Sequence, residues 1–128
     1  MTGTLPTRVR LSRARGYRLQ AAHPGAIVVT RPGRYGNPFT VADALADDPT
    51  LTKDQARERC VTLFRLWLDG ELQPADPDLD RRRAWILDNL DQLTGHPLAC
   101  WCPLPEPGHA DHCHAAHLIQ RANRSVTP

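Results

Sequence analysis

Residues 98–118 read LACWCPLPEPGHADHCHAAHL. The first five, 98–102, fit a short buried strand that follows a helix stop at Gly95 and Pro97. A proline-rich segment comes next, and then Cys113-His114 opens a pattern that suits a final helix to about residue 123. Strand end and helix start are where α/β sheets gather their functional groups. The stretch therefore carries a fold expectation and a site expectation together.

The same two signals recur along the chain. The clearest strand is AIVVT (26–30), β-branched and bounded by Pro24-Gly25 and Pro32-Gly33; RVRL (8–11) alternates and suits a second. Thr40 is placed to cap a short helix through Ala46. Thr52 and Gln55 form a capping box for a stronger helix over 53–69, whose Ala56, Cys60, Leu63, Phe64 and Trp67 share one face. Cys60 is thus expected in the core. Asp76-Pro77 supplies an N-cap and N1 proline for a helix over 77–94, striped by Leu79, Ile86, Leu90 and Leu93; Arg81-Arg82-Arg83 reads as a solvated face. The order β, β, α, α, β, α predicts a small single-domain layered α/β fold with a short, mostly parallel sheet flanked by helices. Residues 8–122 form that domain, with flexible ends at 1–7 and 123–128.

A chain of 128 residues supports one domain with one core. The N-terminal region lacks the apolar stretch of a signal peptide, and the longest apolar run, CVTLFRLWL, is broken by Arg65 and too short to span a bilayer. A cytoplasmic location with no membrane partner is expected. In that reducing compartment a Cys/His cluster points to metal binding or catalysis, not to disulfides. Charge is unevenly placed: residues 1–36 hold seven Arg and no Asp or Glu, and the rest hold nine basic against fourteen acidic residues, which makes +7 and −5 of the net +2. Fifteen of the sixteen basic residues are Arg. Guanidinium suits bidentate contact with phosphate, so a phosphate-bearing partner is expected for the N-terminal third.

Two constellations carry chemistry. Cys100, Cys102, Cys113 and His114 offer soft thiolates and an imidazole, a donor set that suits tetrahedral zinc. The Cys-x-Cys spacing is tight, because alternate strand residues face opposite ways, and a turn at Cys102-Pro103 would be needed. Alternatively Cys113 is a reactive thiol at a helix N-terminus with His114 as its base, both then catalytic. A third reading makes Cys100 a buried strand residue and the histidines loop residues. His109, His112 and His117 are further imidazoles within reach in sequence.

The second constellation is RPGRYGNPF (31–39). Arg31 and Arg34 supply fork donors for a phosphate or carboxylate. Tyr35 and Phe39 offer π-faces, Gly33 and Gly36 allow close backbone approach, and Asn37 before Pro38 is turn chemistry that could also hydrogen-bond a ligand. The alternative is a tight loop from strand to helix with Phe39 in the core. The spacing matches neither a phosphate-binding P-loop nor a dinucleotide fingerprint.

Three stretches together, RARGYRL (13–19), VTRPGRYGNPF (29–39) and LACWCP…CHAAHL (98–118), resemble the bacterial and phage family called domain of unknown function 4326. The resemblance implies a functional set of Arg31, Gly36, Asn37, Pro38, Cys100, Cys102, Cys113 and His114. The chain departs from it by a longer insert, LPEPGHAD, and by His117 where relatives usually carry an aliphatic residue. The resemblance supplies no reaction. The residues themselves favour a zinc site beside a pocket for a nucleotide-like or phosphate-bearing ligand, with an enzyme acting on nucleotides or nucleosides as its fuller form. The alternative is a zinc-stabilised nucleic-acid-binding module, with Tyr17 and Tyr35 stacking on bases.

Overall fold

The computed structural model describes residues 5–72 and 76–124. Three strands, β1 (Arg8–Arg10), β2 (Ile27–Val28) and β3 (Leu98–Cys100), form one sheet in the order β1-β3-β2. Both pairings are parallel: Arg8 and Ile27 each lie opposite Leu98, and Arg10 lies opposite Cys100. The expected strand at 26–30 is shorter by assignment, yet the ladder continues past it, since Val29 N–H donates to the Ala99 carbonyl at 3.0 Å. β3 is buried at every residue, as a central parallel strand covered on both faces must be.

Helices α1 (Leu19–Ala22), α2 (Val41–Asp47), α3 (Lys53–Leu68), α4 (Pro77–Asp88) and α5 (His114–Ala122) surround the sheet. The caps act as their residue types dictate. Thr40 Oγ accepts from Asp43 N–H, Thr52 and Gln55 close a reciprocal capping box, and Asp76 accepts from Asp78 and Leu79 N–H ahead of Pro77. The single turn α1 has no apolar stripe and was not legible in the sequence.

The helix expected over 77–94 breaks at Asn89 and resumes as a 3-10 helix, Leu90–Leu93. Asn89 explains the break: its Nδ2 donates to the Trp85 carbonyl at 2.8 Å, and its own carbonyl accepts from the Tyr35 hydroxyl at 2.8 Å. A side chain competing for helix carbonyls is the usual reason Asn ends helices.

The core gathers Val29, Phe64, Trp67, Ile86, Leu98 and Leu118 between the sheet, α3 and α5. Cys60, as expected, is buried, in a smaller cluster with Ala44 and Ala56 under α2. Arg83 leaves the solvated face it was expected to share with Arg81 and Arg82. Its guanidinium donates to the Trp67 and Leu68 carbonyls at 2.7 and 3.0 Å, satisfying the open C-terminal end of α3.

Residues 1–4 and 125–128, within the ends expected to be flexible, lie outside the described residues. Further in, the Thr7 carbonyl accepts from Leu98 N–H at 3.2 Å, and Asn123 Oδ1 accepts from Gly95 N–H at 3.0 Å. Among the described residues no helix is long and apolar enough to cross a membrane.

Candidate metal centre and its cleft

Because all three strands run the same way, their C-terminal ends open on one edge of the sheet. Cys100 ends β3, Thr30-Arg31 follows β2, and Cys113 caps the N-terminus of α5. The ligand atoms of Cys100, Cys102 and Cys113 lie within 4.8 Å of one another, a group that could hold a metal ion. The chain leaves the strand after Cys100 and bends at Trp101-Cys102, which resolves the Cys-x-Cys spacing. Trp101 points outward, 43% exposed, with the Arg13 guanidinium 4.7 Å from its ring centroid. The sulfurs of Cys100 and Cys102 stand 3.8 Å apart, and all four cysteines are free thiols.

The three sulfurs compete for negative charge. Hydrogen bonds from Cys102 and Cys113 hold the Cys100 thiol far below its ordinary range. Cys113, bonded to Cys100 and Cys102 and buried besides, is pushed far up, and Cys102 is raised by its bond to Cys100. One thiolate therefore forms readily, and the second and third need a cation beside them.

His114 stands at the edge of this group. Its Nε2 lies 2.7 Å from the Val29 carbonyl, so that nitrogen carries the proton and donates to the carbonyl. Its ring also packs edge-on to Phe64, 5.2 Å between centroids, and hydrogen-bonds Cys100. An imidazole held by a backbone carbonyl through one nitrogen is the usual arrangement beside a metal. His117 is also buried, facing Phe64 with its Nε2 unpartnered among the described atoms. His112 turns away to Asp54 and Glu58, at 3.1 and 3.3 Å.

The loop between Cys102 and Cys113 is held by a residue the sequence reading missed. Arg8, its side chain 4% exposed, makes a two-pronged ion pair with Asp111 at 2.7 Å on both arms. The same guanidinium donates to the carbonyls of Cys102 and Pro103 at 2.7 and 2.6 Å. One side chain thus fixes both ends of the insert. A buried arginine on a first strand has no local signature; only the single Asp ahead of Cys113 hinted at a partner.

A cleft of about 210 Å³ opens beside the cluster, lined by its three cysteines and by Arg31, Asn37 and Arg57 among others. The Gly/Arg loop therefore does reach the thiols. Its residues also bind one another and the helices around them. Asn37 is buried with both amide ends occupied: Nδ2 donates to the Cys60 carbonyl at 3.1 Å and Oδ1 accepts from Phe39 N–H at 2.9 Å. A Cβ on Gly36 would sit 2.9 Å from Arg31 Cα and N, so the close approach that glycine permits is to Arg31 itself. Tyr35 donates to Asn89 and packs edge-on against Trp85 at 4.9 Å, anchoring the loop to α4. Arg31 is joined to Pro32 by a cis peptide and donates to the Asn37 carbonyl at 2.7 Å. Arg34 lies over the Trp85 ring at 5.1 Å, on the far side of the loop.

The sequence matches the family described as domain of unknown function (DUF4326) over residues 9–124, nearly its whole length. The chain belongs to that family. No curated protein and no solved structure matches it.

Proposed function

We propose that this chain is a zinc protein whose ion, held by Cys100, Cys102 and Cys113, faces a cleft for a small anionic, nucleotide-like ligand. The observation that carries the reading is the shared cleft, which the three thiols of the cluster and two arginines line together, with no carboxylate among its described lining residues. Three thiolates around one point need a divalent cation to coexist, and soft sulfur with a neighbouring imidazole suits zinc. Three protein ligands leave a fourth position, which the cleft makes accessible to a ligand. Arg31 and Arg57 set the sign of that ligand. At about 210 Å³ the cleft is smaller than ordinary drug-sized pockets of roughly 300 Å³ and up, so it accepts a ring or a phosphate and not a whole dinucleotide.

In this reading Cys113 is a ligand and not a nucleophile, because its thiol is buried and points at two other sulfurs. When bound, the zinc supplies a positive centre that polarises whatever enters the fourth position. His114 fixes the geometry of Cys100, and Arg31 positions the anion.

The test is elemental analysis of untagged protein with thiol titration, then cobalt substitution. About one zinc per chain and three thiols released by a chelator are expected. Added inorganic phosphate or a nucleoside monophosphate should then alter the visible spectrum of the cobalt form. A metal-free protein with one rapidly alkylated thiol would replace this reading with the nucleophile one.

A further inference from the structure

On the far side of the Arg31–Arg34 loop lies a second, larger groove of about 660 Å³. Its arginines come from two elements distant in sequence: Arg31 and Arg34 from the loop, Arg81 and Arg82 from the first turns of α4. Arg34 is held over Trp85, and the loop carrying it is pinned to α4 by Tyr35, so the two arginine pairs keep a fixed relation. Asp78 is the carboxylate in the groove, and it meets Arg81 in an exposed pair at 3.4 Å, a contact that water and salt largely screen. Arg82 has no ion-pair partner among the described residues. Like charges gathered this closely repel one another, and an anion bridging them removes that cost.

Arg31 lines both the groove and the metal-side cleft. We infer that the groove is a binding site for the di- or triphosphate group of a small molecule, and that Arg31 joins it to the cleft so that one ligand spans both. The inference rests on the proposed cleft ligand for its second half only; the phosphate site stands on the groove itself. Arg34, Arg81 and Arg82 around one concavity, with Arg31 at its junction with the cleft, suit a compact polyphosphate, whose adjacent charges match forked donors. A polynucleotide track would instead call for free aromatic faces, and here the Trp85 face is already covered by Arg34.

The experiment is calorimetric titration of the full-length, metal-loaded chain with inorganic triphosphate in excess magnesium, which keeps the phosphate from extracting zinc. Saturable binding at one site per chain is expected. The Arg81→Gln/Arg82→Gln double variant should weaken it at least tenfold while leaving metal content and the cobalt-spectrum response to phosphate unchanged. The side chain of Arg81 is 73% exposed, so Arg81→Gln alone serves should the double variant fold poorly, with a smaller but measurable weakening. A nucleoside triphosphate should bind at least as tightly as inorganic triphosphate. Absence of saturable binding, or binding that the variants leave untouched, overturns the site. A single-stranded oligonucleotide binding far more tightly than either triphosphate overturns it in favour of a nucleic-acid surface. Loss of metal with triphosphate binding intact would sink the zinc reading and spare this one.

Discussion

Arg8 and Asp111 are 103 positions apart and meet in a two-pronged ion pair, both arms at 2.7 Å. The pair ties the first strand to the residue two positions before Cys113, and the remaining donors of Arg8 hold the carbonyls that follow Cys102.

Replacing Arg8 with Gln should therefore do two things. The stranded, partly buried carboxylate should cost about 3 kcal/mol of folding stability, as broken buried pairs do. The loop would also lose its anchor, so chelators should strip the metal faster. Arg8→Lys keeps the charge but cannot make the fork, and should recover less than half of the loss. Denaturant unfolding and chelator-release kinetics measure the two effects separately.

Cys113→Ser should lower metal affinity by more than about a hundredfold, beyond the range for losing an outer-sphere partner alone. Cys60→Ala is the contrast. Cys60 is buried in the small cluster with Ala44 and Ala56, and burial pushes its thiol up. That variant should keep its metal and lose about 1 kcal/mol, the scale of a small core truncation. Metal-to-protein ratios on both variants decide the point.

His117 gives a pH dependence. Burial, with the Arg121 charge adding to it, lowers its pKa to about 4 from an ordinary 6.5. The folded chain holds it neutral, while the unfolded chain protonates it near pH 6.5. Its penalty is therefore absent above about pH 6.5 and grows as pH falls to about 4, reaching up to about 3 kcal/mol. His117→Leu removes the titrating group and the unpartnered Nε2 together. The stability gap between His117→Leu and the parent should widen across that window and stay constant above it, read from urea unfolding at several pH values.

Gly36→Ala brings a methyl group to 2.9 Å from the backbone of Arg31. Backbone cannot yield as a flexible side chain can, so a loss of about 1–3 kcal/mol is expected. Arg31 should also shift and weaken anion binding in the cleft. An unfolding midpoint equal to the parent's would show that the loop relaxes freely.

Much of this architecture was legible because it is local. Thr40, Thr52 with Gln55, and Asp76 with Pro77 announced helix starts through hydrogen bonds made within three residues. The convergence of Cys100, Cys102 and Cys113 was legible as chemistry, since one strand end and one helix start were enough to suggest it. What escaped was non-local. Arg83 capping α3, Tyr35 anchoring to Asn89 and Arg8 holding Asp111 each join distant segments through a single side chain. The second contact of Asn37 escaped for the same reason. Its type suited a ligand contact, but its Nδ2 partner, the Cys60 carbonyl, comes from a helix whose position no spacing revealed.

The strand order β1-β3-β2 bears on how the chain comes into being. The two strands made first by the ribosome do not pair with each other; each waits for residues 98–100 to lie between them. Helices α2 and α3 can form as they emerge, since their caps are internal, but this sheet cannot form until residues 98–100 have been made. Pairings this far apart in sequence close late and slowly. Residues 8–10 and 27–28 therefore stay unpaired until β3 is made, and its arrival completes the sheet and brings Cys100 to the edge where Cys102 and Cys113 gather.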